Sequence, residues 1–456
     1  LRAPFDSEGE GLDCIRERTA AVDSLIARLY AIVFAPDQRS PEDFCLVATG
    51  GYGRQELFPA SDVDLLFAFT NQSALTSRRE AVAAFVRCLW DTRLRVGHSA
   101  RTLEECGQLH PGNLEFNVSL LDLRYLVGSP RLFAHLRNQA IPRLFGRDQQ
   151  QIVRSLIEIT AQRHAKHGNT VFQLEPNVKD APGGLRDYQV ARWLSLIREL
   201  ARRQCWPQPE DLWPGSLRQN LGQAVQFLSA VRCFLHFQRG RDDNLLTYEL
   251  QEQAAALGLG TGYGKTIDPA QWMKNYFRQT RFIDGALHRV IEESVYPQSS
   301  LYGIFQDWRS RLSNSEFSVI RGKIFPRSLN PGPQALASVL DMFEMIARHE
   351  IALSREAEAW VEQVLRQQPA EPGATGEAPP ALPAAGVWPV FRRILVLPGA
   401  AHALRAMHRV GLLAAFFPEF KAIDALVIHD FYHHYTVDEH SFMTIQNLGE
   451  LRPRKG

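Results

Sequence analysis

Gly50-Gly51-Tyr52-Gly53-Arg54-Gln55-Glu56-Leu57-Phe58-Pro59-Ala60-Ser61-Asp62-Val63-Asp64-Leu65-Leu66-Phe67 joins a glycine turn to an apolar run that carries two acids. The glycines leave backbone N–H groups open to a phosphate and allow turns that other residues resist. Asp62 and Asp64 alternate with Val63 and Leu65. On a strand this puts both carboxylates on one face and both apolar side chains on the other. Two neighbouring carboxylates repel unless a cation sits between them. Mg²⁺, which takes carboxylate and phosphate oxygens, suits that place, with Mn²⁺ as a substitute. Such a site serves nucleotidyl transfer, in which an acceptor hydroxyl attacks the α-phosphorus of a triphosphate and pyrophosphate leaves. A lone Asp-x-Asp is usually a solvated pair and a lone Gly-Gly usually just a turn. With ten residues between them, Gly51 and Asp62 make a more specific pattern.

Around this stretch the text reads as a small α/β domain. Residues 12–34 predict a helix, with Leu12, Ile15, Ala20, Val22, Leu25, Ile26 and Leu29 at near-helical spacing. Residues 44–49 predict a buried strand, Val63 to Phe69 a second, 79–95 a helix and Gly97 to Thr102 a third strand. From about 115 to 365 the pattern is mostly helical, broken at 181–184, 206–215 and 257–264. Residues 367–386, rich in Pro, Ala and Gly, read as a disordered linker or long loop, and 390–418 return to apolar helical text. The expected class is therefore α+β: a mixed-sheet domain over 1–150, helical domains over 151–300 and 301–425, and the start of another from 426 to 456. No internal repeat is present.

Bulk properties narrow the partners. A chain of 456 residues exceeds one ordinary core. Lys and Arg total 51 against 50 Asp and Glu, so no basic excess supports nucleic-acid binding or a template-directed polymerase. The six cysteines form no C-x-x-C pair and read as idle or buried thiols of a reducing compartment. No apolar run approaches the roughly 18 residues of a membrane helix, and the polar start is no signal peptide. A cytoplasmic location without membrane contact is the default expectation. The ends, Leu1 and Gly456, read as cuts in a longer protein.

The motif Gly50 to Leu65 resembles that of the nucleotidyltransferase superfamily, and in its fuller form the PII uridylyltransferase branch. Glu175-Pro176-Asn177-Val178-Lys179-Asp180-Ala181-Pro182-Gly183-Gly184-Leu185-Arg186-Asp187 is similar to a second stretch of that family. This is a loop whose Gly-Gly turn opens a helix near Leu185, and it presents Lys179 and Arg186 as cations for phosphates. Phe234 to Leu246 also resembles the family's helical part and reads as a charged helix end without chemistry. The resemblance implies transfer of UMP from UTP to a tyrosine hydroxyl of the nitrogen-regulatory protein PII. It implies Asp62 and Asp64 as catalytic Mg²⁺ ligands, with Gly50, Gly51, Arg54, Ser61, Lys179 and Arg186 at the nucleotide. The superfamily's third carboxylate falls to Asp122, with Glu115 as runner-up.

Leu404 to Leu413, Phe417 to Phe420 and His433 to His440 continue the resemblance and introduce an HD phosphohydrolase domain that removes UMP. Besides His429, His433 and His434 in this region, and His408 upstream, His440 matches the first metal-ligand histidine of that domain. The 16 residues after it contain neither His nor Asp. The HD site is thus expected to be incomplete, UMP removal to be missing from this chain, and the segment from about 428 to be loosely docked. Two other functions fit parts of the text. One is an adenylyltransferase of the glutamine-synthetase-modifying type, and the other is a non-catalytic PII-binding fragment.

Overall fold

The computed structural model describes residues 2, 5, 9–34, 41–295, 312–320, 322–330, 332, 335–367, 384–428 and 434–451. Two units divide the chain, Leu1–Tyr296 and Pro297–Gly456. The sheet and the helices after it share the first unit.

The first unit is built on a four-stranded mixed sheet in the order β3-β2-β1-β4. Its strands are β1 (Phe44–Ala48), β2 (Val63–Phe69), β3 (Val96–Thr102) and β4 (Arg124–Gly128). β2 pairs antiparallel with β1 and parallel with β3, with Asp64 opposite Gly97. Phe44, Leu46 and Ala48 of β1 and Val63, Leu65, Phe67 and Phe69 of β2 form one core with helices α1 (Gly11–Phe34) and α2 (Arg79–Asp91). Alternation sends Asp64 to the opposite face. The three expected strands occur within a residue or so of their predicted bounds. β4 was not expected: its five residues are only half-buried, so no apolar run marks it.

After the sheet come α3 (Gln149–Lys166), α4 (Leu185–Arg203), α5 (Gly215–Arg239) and α6 (Pro269–Val295). α4 buries one continuous side, from Leu185 through Val190, Leu194 and Ile197 to Leu200, and packs against α6 and α3. α5 packs against α1 and so ties the helices to the sheet.

The second unit departs from the all-helical reading. It holds a three-stranded sheet of β5 (Phe317–Ile320), β6 (Lys323–Pro326) and β7 (Ala352–Leu353). These strands have two to four residues, too few for a period to show in sequence. Around them stand α7 (Ala335–His349), α8 (Arg355–Arg366), α9 (Ala384–Leu395), α10 (Ala400–Arg409) and α11 (Val437–Glu450). Residues 368–383, most of the expected linker, lie outside the described residues, while 384–386 begin α9. The expectation of loose docking from 428 onward fails for α11. Its Phe442 is buried in the unit's core, Ile445 packs against that core, and Asp438 and Glu439 are buried.

Candidate active site

The glycine turn Gly50–Gly53 is a single helical turn between β1 and β2. Its first bond runs from Gly53 N to Thr49 O at 2.9 Å, so the N–H groups of Gly50, Gly51 and Tyr52 precede the helical ladder. Tyr52 fixes the turn from below. Its ring is buried, its hydroxyl donates to Asp23 Oδ1 at 2.5 Å, and Arg124 bridges Asp23 at 2.8 Å. Gly53 lies so close to the backbone of Asp122 that an added Cβ would come within 1.8 Å of its carbonyl oxygen.

Asp64 occupies a gap between two glycines. A Cβ on Gly50 would approach Asp64 Oδ2 to 3.0 Å, and one on Gly97 would meet Oδ1 at 2.6 Å. Burial, then the charges of Asp62 and Glu115, push the Asp64 carboxyl up to about 6, against the pull of Arg54 and Lys179. Asp62, just ahead of β2, is exposed and pairs with Arg95 at 3.0 Å. A crowded acid flanked by two side-chain-free positions fits a divalent cation with oxygen ligands, which Asp62 and Asp64 would hold. Gly97 escaped the sequence reading because its importance lies in a register partner 33 positions away.

Lys179 and Arg186 come to the same face. Lys179 contributes to the field at Asp64, and Arg186 feels both Arg54 and Glu115. Burial, then nearby Arg232, lowers Lys179; burial, then Arg54, lowers Arg186. Each has a carboxylate only at the far edge of ion-pair distance, Asp242 at 3.9 Å from Lys179 and Asp180 at 4.0 Å from Arg186. Their loop is fixed from within. Asn177 Oδ1 accepts from Lys179 N and Asp180 N at 3.0 and 2.8 Å, and Asp187 Oδ2 accepts from Gly183 N at 2.7 Å. Asp187 is held in turn by Arg163 and His164 at 2.5 and 2.9 Å.

Two expectations change. Asp122, proposed as the third carboxylate, is fully buried behind the turn. Its oxygens accept from Arg54 at 2.6 Å, Arg192 at 2.7 Å and Trp193 Nε1 at 3.0 Å. With two guanidiniums and an indole N–H in place it has no free edge for a metal. Arg54, expected at the nucleotide, gives its Nε to Glu56 at 2.7 Å and its Nη1 to Asp122, with only 7% of its side chain exposed, and only its Nη2, 3.8 Å from where a Cβ on Gly51 would stand, is left toward the turn. Glu115, the runner-up, is exposed and contributes to the charge at Asp64. The Ser61 carbonyl accepts from Arg18 at 3.3 Å.

The stretch Phe234 to Leu246, read as having no chemistry, braces the site. His236 Nδ1 accepts from Ala60 N at 3.1 Å, which fixes the approach to Asp62. Asp242 joins His236 at 3.0 Å, Arg232 at 3.1 Å and the Lys179 ammonium. His440, matched to a metal ligand, stands exposed on α11, while His429 and His433 lie outside the described residues. Cys14, Cys45, Cys106 and Cys233 are buried thiols, as expected, but Cys205 is exposed. No described helix is long and apolar enough to cross a membrane.

Comparison with known proteins bears on this arrangement. Residues 151–291 match the family described as GlnD PII-uridylyltransferase, and residues 11–99 match a putative nucleotidyltransferase family, DUF294. Curated relatives named bifunctional uridylyltransferase/uridylyl-removing enzyme are 32% identical in Cereibacter sphaeroides and 31% in Methylococcus capsulatus. These alignments cover 97% and 96% of this chain, but 47% and 48% of the relatives. The chain thus spans about half the length of the curated relatives it matches.

Proposed function

Because the chain belongs to the GlnD PII-uridylyltransferase family, we propose that it transfers UMP from UTP to a tyrosine hydroxyl of the PII signal-transduction protein. In this reading the acceptor oxygen bonds to the α-phosphorus as the bond to pyrophosphate breaks. The observation that carries it is the Asp64 carboxylate, set between Gly50 and Gly97 and raised by burial beside Asp62 and Glu115. Asp62 and Asp64 would hold Mg²⁺ or Mn²⁺, which when bound neutralises triphosphate charge.

The remaining work falls to the chain's own groups. The N–H groups of Gly50 and Gly51 face a phosphate as free donors. Lys179 and Arg186, whose own carboxylate partners stand at 3.9 and 4.0 Å, draw phosphate oxygens toward Asp64. Arg54 and Asp122 clamp the turn against α4 and keep the donors aimed. The long match over 151–291 favours uridylyl over adenylyl transfer.

The test is to incubate the chain with PII, Mg²⁺ and each α-labelled nucleoside triphosphate in turn. Label from UTP alone, appearing on a PII tyrosine, is the expected result. Label from ATP on glutamine synthetase, with none from UTP, would replace this reading by the adenylyltransferase. No label from any triphosphate would leave a non-catalytic PII-binding role.

A further inference from the structure

In the second unit, α10, the turn ending at Asp424 and the first turn of α11 bring three potential ligands together. His408 Nε2 lies 3.1 Å from Asp424 Oδ1 and 3.1 Å from Asp438 Oδ2. The three ligand atoms fall within 4.8 Å of one another. The imidazole packs beside the rings of Phe420 and Phe442, with centroids at 5.7 and 5.6 Å, and those two rings stack on each other at 6.0 Å. Asp438 is fully buried, its Oδ2 also accepts from Ala425 N at 3.2 Å, and its Oδ1 has no hydrogen-bond partner. A fully buried carboxylate oxygen left without a partner is costly.

We propose that His408, Asp424 and Asp438 form a divalent metal site, with Zn²⁺ the best-suited ion and water as a fourth ligand. One imidazole nitrogen with carboxylate oxygens selects a first-row transition ion over Mg²⁺. Tetrahedral zinc with bonds of about 2.0–2.1 Å places its ligand atoms roughly 3.3 Å apart, and both nitrogen-to-oxygen separations here are 3.1 Å. The other His–Asp–Asp group among the described residues, His164, Asp187 and Asp284, has no such orphaned oxygen on its buried acid, because Arg163 and Gly183 N already fill both oxygens of Asp187. The ion would join α10, the 420–424 turn and α11, and its site does not use His440.

The experiment uses the whole chain carrying Asp62→Asn and Asp64→Asn, stripped with chelator and titrated with Co²⁺ in excess Mg²⁺. One equivalent of Co²⁺ should bind with visible d–d absorption and be displaced by Zn²⁺. His408→Gln and Asp424→Asn should each weaken it by about 100-fold or more, since loss of a ligand costs at least as much as loss of an outer partner. Asp424 is partly exposed, so Asp424→Asn decides the matter if His408→Gln does not fold. Absence of Co²⁺ binding, or unchanged affinity in a folded Asp424→Asn chain, would reduce the cluster to an ion pair and overturn the site.

Discussion

Asp64 and Asp122 lie on either side of the same glycine turn and have opposite surroundings. Asp122 meets two guanidiniums and an indole N–H, all within 3.0 Å. Asp64 meets two glycines, and the charges that dominate at it are the acids Asp62 and Glu115. Even the cations divide this way. Arg54, beside Asp122, is held above its ordinary range by Glu56 and Asp122 despite burial. Lys179 and Arg186, on the open side, are pushed below theirs. The protein balances its charges behind the turn and leaves them unbalanced in front of it. An imbalance of both signs at one place is where a cation and a polyphosphate together restore neutrality.

The sharpest test of that contrast is Asp64→Asn. Transfer should fall by about a thousandfold, roughly 4 kcal/mol of transition-state stabilisation, in PII-labelling assays. The same change should stabilise the metal-free protein at neutral pH. The folded-state pKa is raised, so ionised Asp64 opposes folding, and the penalty develops as pH climbs from about 4 through 6. The variant should gain on the order of 1–2 kcal/mol at pH 7.5 by denaturant melts, allowing for solvent screening, and nothing at pH 3.5. A destabilised Asn variant would mean that Asp64 is a structural acid like Asp122. Asp122→Ala should do the reverse. Stranding Arg54 and Arg192 should cost about 3 kcal/mol or more of stability, because half of a buried ion network is left unpaired. Mg²⁺ affinity in whatever remains folded should be unchanged.

The glycine turn itself separates ligand space from protein space. A Cβ on Gly51 meets nothing closer than Glu56 O at 3.4 Å, so the fold has room there. Gly51→Val should cost under about 1 kcal/mol of stability. UTP affinity measured by calorimetry should drop tenfold or more, about 1.4 kcal/mol, if a triphosphate lies over that backbone. Unchanged affinity in the folded variant would remove the turn from the nucleotide site.

The front of the turn was legible in sequence and the back was not. Gly50, Gly51, Asp62 and Asp64 sit in one short stretch whose alternation states the strand face directly. The loop from Glu175 announced itself by its own turn residues. Asp122 was misread because its partners, Arg54 and Arg192, stand 68 and 70 positions away, and no local spacing tells a paired acid from a ligand. His236 and Asp242 were read as a charged helix end for the same reason, since their targets, Ala60 and Lys179, come from distant loops. The helix α11 was expected to hang free because its partners were sought only downstream. Phe442 instead docks on residues that precede it.

The smallest expected effect concerns Arg95, the cation that pairs with Asp62. Both side chains are more than half exposed, and their separation is 3.0 Å. A pair so open to water contributes little, within about 0.5 kcal/mol, so Arg95→Ala should leave the melting transition almost unmoved. The function should shift in the opposite sense to most site mutations. In the proposed site Arg95 would compete with a divalent ion for Asp62 Oδ1, so its removal should tighten Mg²⁺ or Mn²⁺ binding by a factor of about two to three, and more at low salt, where screening is weak. Titration of Mn²⁺ by electron paramagnetic resonance, at low and at physiological ionic strength, measures this. If UTP binding instead weakens tenfold with metal affinity unchanged, Arg95 belongs with Lys179 and Arg186 as a phosphate ligand. The open face would then be balanced by the chain on the Asp62 side as well, and the contrast with Asp122 would narrow to Asp64 alone.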